Sequence, residues 1–359
     1  MFFHNIRIAF VSSIATLVLG ATACSDNQAN DDTTASFPEA VNQVENVSST
    51  STTNLSGTIN IDGSSTVFPV SEVMAKEFQK ANSGVKINVA FSGTGGGFKK
   101  FCAGETDITD ASRPINEKEV ELCRKNNVEY IELPVAFDSL SVVVNAKNDF
   151  VQCLKVNELK KMWEPTAEGK VTNWNQISSN FPNRPLKLFG PGKDSGTYDY
   201  FTLAIVGEEG KSRGDYTKSE NDNALVKGIS QDQNALGFFG YAYYAANRNQ
   251  LKLVAIDNGY GCTEPSAQTV ANSSYQPLSR PIFIYVKKSA ATRPEVKAFT
   301  NFYLSPDNAN LVLQVGYVPL PNITLQSANS RFNQGITGSV FGGQGSVIGI
   351  GQKGLQEKQ

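Results

Sequence analysis

The chain has 359 residues, with 32 Lys and Arg against 34 Asp and Glu and a formal net charge of −2. This near balance excludes the broad basic field of a nucleic-acid binder, so any anion site must be local. The length suits two domains better than one. The single histidine, His4, lies in the leader, which removes a Ser-His-Asp triad, a His-Cys pair and a His-ligated zinc site from the rest of the chain.

Residues 1–23 read as an export signal, with an apolar run from Ile8 to Leu19 flanked by Arg7 and too short for a membrane span. Ala21-Thr22-Ala23-Cys24 resembles a lipoprotein processing box with lipid attachment at Cys24; ordinary signal-peptidase cleavage after Ala23 is the alternative. Residues 24–56 are rich in Asn, Asp, Ser and Thr and read as a disordered tether. The remaining cysteines are Cys102, Cys123, Cys153 and Cys262. An even number in an exported chain implies two disulfides. Three pairings are open; Cys102–Cys123 with Cys153–Cys262 would staple one domain each. No CxxC spacing supports zinc.

Folded structure is expected from Gly57. Thr58–Ile61 alternates as a strand, then Asp62-Gly63-Ser64-Ser65-Thr66-Val67-Phe68-Pro69 leads into Val70, Val73, Met74, Phe78 and Ala81 at near-helical spacing. Val85–Phe91 is a second strand. It runs into Ser92-Gly93-Thr94-Gly95-Gly96-Gly97, and a helix is expected from Phe98. Asn116 with Glu119 forms a capping-box pattern. Strand, loop, helix repeated in this way is the rhythm of an open α/β sheet, in which ligands sit beyond the carboxyl ends of the strands. Ile131–Asn145 is a long extended stretch that could cross between domains. A short helix over Asn157–Trp163, a turn at Thr172–Trp174 and a strand over Leu186–Phe189 follow.

That strand feeds Gly190-Pro191-Gly192-Lys193-Asp194-Ser195-Gly196-Thr197, with a helical run over Tyr198–Val206 after it. A helix N-terminus presents free N–H groups and a partial positive charge. Any one of the three loops reads more simply as a helix cap; three of them suggest one oxyanion site built from N–H and hydroxyl groups. Ile229–Tyr244 is expected as a turn and a strand, Leu251–Ile256 as a strand, and Arg280–Val286 as a return crossing. Pro294–Tyr303 and Leu311–Val315 are expected helices. After Asn322 the chain turns Gly- and Ser-rich, and no element is assigned.

These loops, with Asp110-Ala111-Ser112-Arg113-Pro114-Ile115 and Gly237-Phe238-Phe239-Gly240-Tyr241, resemble the phosphate-binding proteins of phosphate ABC transporters. That family is a branch of the type II periplasmic binding proteins, and within it the chain looks most like the cyanobacterial phosphate-binding lipoproteins. The resemblance implies an α/β fold of two lobes, each an open mixed sheet flanked by helices, joined by two hinge crossings near Asp138 and Arg280. Lobe I would be 57–138 plus 281–340, lobe II 139–280, and 341–359 a Gly-rich tail. Phosphate would sit between the lobes on Ser65, Thr66, Val67, Thr94, Gly95, Ser195, Gly196 and Thr197. An ABC permease would be the partner and the state monomeric; the protein would act outside the cytoplasm, anchored to the membrane through Cys24, with no cofactor, metal or nucleic acid.

Two departures from the family pattern stand out. Some members place an arginine four residues before the Ser-Gly-Thr serine, where this chain has Pro191. Some carry an aspartate in the Ala-Ser-x-Pro loop, where this chain has Arg113. Arg113 is therefore expected as the ligand's charge partner. A carboxylate that accepts the phosphate proton would exclude sulfate, and the candidates are Asp110, Asp138 and Asp194. Other readings are a receptor for sulfate, molybdate or arsenate, a phosphatase, or a surface adhesin; no His or tight carboxylate cluster supports the enzyme.

Overall fold

The structure, a computed structural model, describes residues 55–359. The expected signal segment, the lipidation position Cys24 and all but the last two residues of the tether lie outside the described residues. The order is β1 (Gly57–Gly63), α1 (Phe68–Ala81), β2 (Val85–Val89), α2 (Thr94–Cys102), β3 (Ile108–Ala111), α3 (Glu117–Lys125), β4 (Tyr130–Asn145), β5 (Cys153–Lys155), α4 (Val156–Trp163), β6 (Lys187–Gly190), α5 (Gly196–Phe201), β7 (Thr217–Lys218), α6 (Asp222–Gln231) and β8 (Ala235–Gly240). Then come α7 (Tyr241–Ala246), β9 (Leu251–Leu253), β10 (Ala255–Asp257), β11 (Cys262–Thr263), α8 (Ala267–Ala271), β12 (Ser279–Lys287), α9 (Pro294–Tyr303), α10 (Ala309–Gln314), β13 (Val318–Pro319), α11 (Asn322–Asn333) and α12 (Gln352–Gln356).

A mixed sheet runs in the order β2-β1-β3-β12-β4-β8-β6-β7. The flanking pairs β1–β2, β1–β3, β6–β8 and β6–β7 are parallel, while β12 and β4 pair antiparallel with each other and with β3 and β8. β4 is the shared strand. Residues 130–139 pair with β12 and residues 140–144 with β8, so all of β4 is buried and it is mostly apolar, with Glu132, Asp138, Ser139, Ser141 and Asn145 the polar exceptions. Separate apolar clusters pack on either side, one on Ile59, Phe98, Leu133 and Ile284, another on Trp163, Phe201, Phe238 and Leu140. Disulfides join Cys102 to Cys123 and Cys153 to Cys262; the first ties α2 to α3, the second ties β5 to β11 across β10.

Several elements differ from the sequence expectation. α2 starts at Thr94, four residues before Phe98, and takes the glycines into its first turn. A Cβ at Gly97 would stand 2.5 Å from the Gly63 Cα and 2.5 Å from the Thr109 hydroxyl, so the helix can pack this closely only without one. α5 continues as a π-turn over Thr202–Val206 rather than as a uniform helix. The Leu251–Ile256 strand is two strands broken at Val254.

Residues 241–246 form a helix although three of the six are Tyr and the stretch reads as extended; packing on β4, β8 and β9 overrides the weak propensity. α11 and α12 lie where no element was assigned. Their Asn, Ser and Gly content hides an apolar face, on which Leu325, Ala328, Phe332 and Leu355 are buried. Phe341, within the expected tail, is buried too.

Candidate functional site

β1, β2 and β6 each end in a loop that opens a helix, and the three loops meet. The Thr66 and Thr197 hydroxyls are 2.8 Å apart, across 131 residues of sequence. The Gly95 N–H donates to the Asp194 carbonyl at 2.8 Å. A Cβ on Gly196 would lie 2.6 Å from the Thr94 hydroxyl and 2.7 Å from the Ser112 hydroxyl. Only glycine allows that approach. The Ser112 N–H in turn donates to Thr94 Oγ1 at 3.1 Å. Ser64, Ser65, Thr66, Thr94, Ser112, Ser195 and Thr197 are all buried. Such a cluster of buried hydroxyls at strand ends and helix starts is suited to an oxyanion, which accepts several hydrogen bonds at once.

The expected donors are not equivalent. Ser195 caps α5, its Oγ accepting from the Thr197 and Tyr198 N–H groups. The Thr66 N–H is bonded to Ser64 Oγ at 3.2 Å. Gly95 spends its N–H on the Asp194 carbonyl, so it ties the second loop to the third rather than offering a free donor. Val67 is fully buried, and its N–H has no acceptor among the described residues.

Two guanidinium groups are buried nearby, and the structure distinguishes them. Arg113 donates through Nε to Asp199 at 2.7 Å, through Nη1 and Nη2 to the two Glu119 oxygens at 2.8 Å each, and through Nη1 to the Pro114 carbonyl. Arg280 instead reaches the third loop, with Nη1 donating to the Gly196 carbonyl at 3.1 Å and Nη2 to Thr197 Oγ1 at 2.8 Å. Its countercharge is Asp138, bonded at 3.1 and 2.9 Å. Asp138 and Arg280 face each other across β4 and β12, and their side chains are 0 % and 1 % exposed. The sequence marked both as hinge positions, with Asp138 also a candidate proton acceptor, and gave Arg280 no ligand role. Arg280 lies 83 residues from Thr197, and no local spacing announces the contact.

The candidate proton acceptors separate as well. Asp110 faces α1, accepting from the Ser71 hydroxyl at 2.8 Å; burial pushes its carboxyl up to about 8 despite that bond. Asp194 is half exposed and pairs with Lys99 at 2.6 Å. Burial raises Asp138 while Arg280 lowers it, and the Tyr241 N–H donates to its other oxygen.

A fourth carboxyl, Asp222, escaped the sequence reading because it sits in the unassigned helix α6. It is buried, and its Oδ2 has no partner among the described residues. Burial pushes it up to about 7, with the Ser65 hydroxyl beside it pulling the other way. Leu225, Val226 and Ile229, spaced for one buried helical face, were the available signal. On the Arg113 side, a cleft of about 470 Å³ opens outward, lined in part by Lys99, Lys118 and Lys193.

Among known proteins, the model of the PBP superfamily domain matches residues 48–307. Protein SphX of Synechocystis is 51% identical over 305 residues, covering 85% of this chain and 90% of that protein. Phosphate-binding protein PstS of Staphylococcus aureus is 36% identical over 275 residues, covering 76% of this chain and 81% of its own. Among solved structures, a possible phosphate binding protein from Planctomyces limnophilus is 45% identical with a TM-score of 0.58, covering 79% and 99% of the two chains. A Clostridium perfringens substrate-binding protein solved with phosphate bound is 25% identical with a TM-score of 0.62, covering 74% and 100%.

Proposed function

This chain belongs to the PBP superfamily, and from that premise we propose that it captures inorganic phosphate outside the cytoplasm and delivers it to an ABC permease. The observation that carries the reading is the meeting of the three hydroxyl loops at Thr66 and Thr197, with Arg280 bonded to the third. The two lobes would be 57–138 plus 281–340 and 139–280, hinged where Asp138 pairs with Arg280. Ser65, Thr66, Val67, Thr94, Gly196 and Thr197 hold the anion, and Ser195 and Gly95 shape the loops. Arg280 is the site cation. Arg113 joins Glu119 of α3 to Asp199 of α5, which suits a latch between lobes better than a ligand contact.

Asp222 accepts the proton that hydrogen phosphate carries and sulfate lacks. Its Oδ2 has no partner among the described residues, and the Ser65 hydroxyl of the first loop lies beside it. Asp110 also keeps one oxygen without a partner, but its other oxygen faces α1 through Ser71, while Asp138 is bonded to Arg280 and Asp194 to Lys99. The protein binds and does not catalyse. The Ser195 Oγ accepts two N–H bonds as a cap, an arrangement without the adjacent base that a nucleophile needs. We extend the proposal to a lipid anchor at Cys24 and a monomeric state.

The test is calorimetric titration of protein stripped of endogenous phosphate, first with phosphate and then with sulfate as competitor. Tight phosphate binding that sulfate leaves undisturbed is the expected result. Binding of sulfate, molybdate or arsenate in its place would make this a receptor for another oxyanion. Binding of none of them would turn attention to a surface role.

A further inference from the structure

The segment Gly237–Tyr241 gives the Tyr241 N–H to Asp138, and its Gly240 has a second task at the site. The Tyr317 hydroxyl donates to the Thr66 carbonyl at 2.8 Å, and the Tyr243 hydroxyl donates to the Ser65 carbonyl at 2.8 Å. Tyr317 follows Gly316, whose φ of +89° lets α10 turn into β13. Tyr243 comes from α7. Both rings are buried, and burial holds both hydroxyls protonated by raising them above the ordinary tyrosine range.

The space for the Tyr317 hydroxyl exists because residue 240 is glycine. A Cβ there would stand 2.7 Å from the Tyr317 oxygen and 2.9 Å from the Thr66 Cγ2.

In a trans peptide the C=O and N–H point in opposite directions. Fixing the Thr66 carbonyl toward Tyr317 therefore turns the Val67 N–H the other way. That N–H is buried and has no acceptor among the described residues, a state that native structures seldom leave without a partner. The Ser65 carbonyl belongs to the peptide whose N–H, on Thr66, is already bonded to Ser64 Oγ. The two tyrosines thus hold chemically equivalent carbonyls with different consequences.

We propose that Tyr317, in the space left by Gly240, is a positioning residue that aims the Val67 N–H at the bound oxyanion. The inference rests on the oxyanion-site reading of the Ser64–Val67 loop.

The experiment compares Tyr317→Phe, Tyr243→Phe and Gly240→Ala with the unchanged protein in titrations against phosphate, sulfate, arsenate and molybdate, alongside thermal melts without ligand. Each Phe variant removes one buried hydroxyl–carbonyl bond of equal length, so their melting midpoints should fall alike. Affinity should separate them. The loss of an aimed donor to a charged ligand should raise the dissociation constant roughly tenfold or more in Tyr317→Phe, with a smaller rise in Tyr243→Phe. Gly240→Ala should follow Tyr317→Phe. The Val67 amide resonance should shift on ligand addition in the unchanged protein and much less in Tyr317→Phe.

Equal affinities across the two Phe variants, or a Val67 resonance indifferent to ligand, would overturn the proposal. If the unchanged protein takes sulfate and refuses phosphate, the phosphate reading fails while the tyrosine comparison is still decided with sulfate. If it takes none of the four anions, both fail.

Discussion

Arg113 and Arg280 are equally buried and differently employed. Each guanidinium makes four hydrogen bonds, so the difference lies in the countercharge: Arg113 faces two carboxylates, Glu119 and Asp199. Its charge is already outweighed by those two carboxylates, which makes it a poor partner for an anion. Arg280 faces one carboxylate, Asp138, and gives its other hydrogen bonds to the Gly196 carbonyl and the Thr197 hydroxyl. That cluster is neutral and rich in donors. A buried arginine is thus not by itself an anion site; what matters is how much of its charge the protein has already used.

The largest effect is expected at Arg280. Arg280→Gln should weaken phosphate binding by roughly 10- to 100-fold, the loss of one charge-assisted hydrogen bond of about 1.5–3 kcal/mol. It should also lower the melting midpoint, because removing one partner of a buried ion pair costs about 3–5 kcal/mol. Arg113→Gln should lower stability comparably, since it strands two carboxylates, but raise the phosphate dissociation constant less than the Arg280 variant. Equal affinity losses in the two titrations would break the comparison and return Arg113 to the ligand.

A buried carboxyl with no cation beside it among the described residues extends the contrast. Asp110 has only the Ser71 hydroxyl, and its folded value is about 8 against 3.8 for the free side chain. A carboxyl raised in the folded state holds its proton there and loses it on unfolding, so it makes stability fall as pH rises between those values. Asp110→Asn keeps the acceptor for Ser71 and abolishes that loss. Its melting midpoint should exceed that of the unchanged protein at pH 8, with the gap shrinking toward pH 5. A gap independent of pH would show that Asp110 does not titrate in this window.

The smallest effect is expected at Ser195→Ala. It removes a helix cap worth about 0.5–2 kcal/mol and should cost stability with little change in phosphate affinity; a loss as large as that of Arg280→Gln would make Ser195 a direct ligand.

Much of the architecture was legible because it is local. Alternation in Thr58–Ile61, the Asn116–Glu119 capping box and the run through β4 all place elements where the structure has them. α7 was not legible, since its tyrosines favour extended backbone and only packing on β4 and β8 makes them helical. α11 was hidden by Asn and Ser, which compete with helix through their own side-chain bonds. Ser65, Thr66, Thr94, Ser195 and Thr197 could be named as candidates because their hydroxyls fall at three strand-to-helix junctions, each visible in the local sequence. Asp222 was missed with its helix.

The sequence by itself determined the class of the fold, the three hydroxyl loops and the glycines that let them approach, because backbone freedom, capping and periodicity depend on neighbours along the chain. Only the tertiary structure decided which arginine serves the loops, which buried carboxyl lies beside the Ser65 hydroxyl and which hydroxyls hold the carbonyls of the Ser64–Val67 loop. Arg280 and Thr197 are 83 residues apart, and Tyr317 and Thr66 are 251. The charge available at a site is what remains after every nearby partner has been counted, and those partners are assembled by the sheet rather than by spacing along the chain.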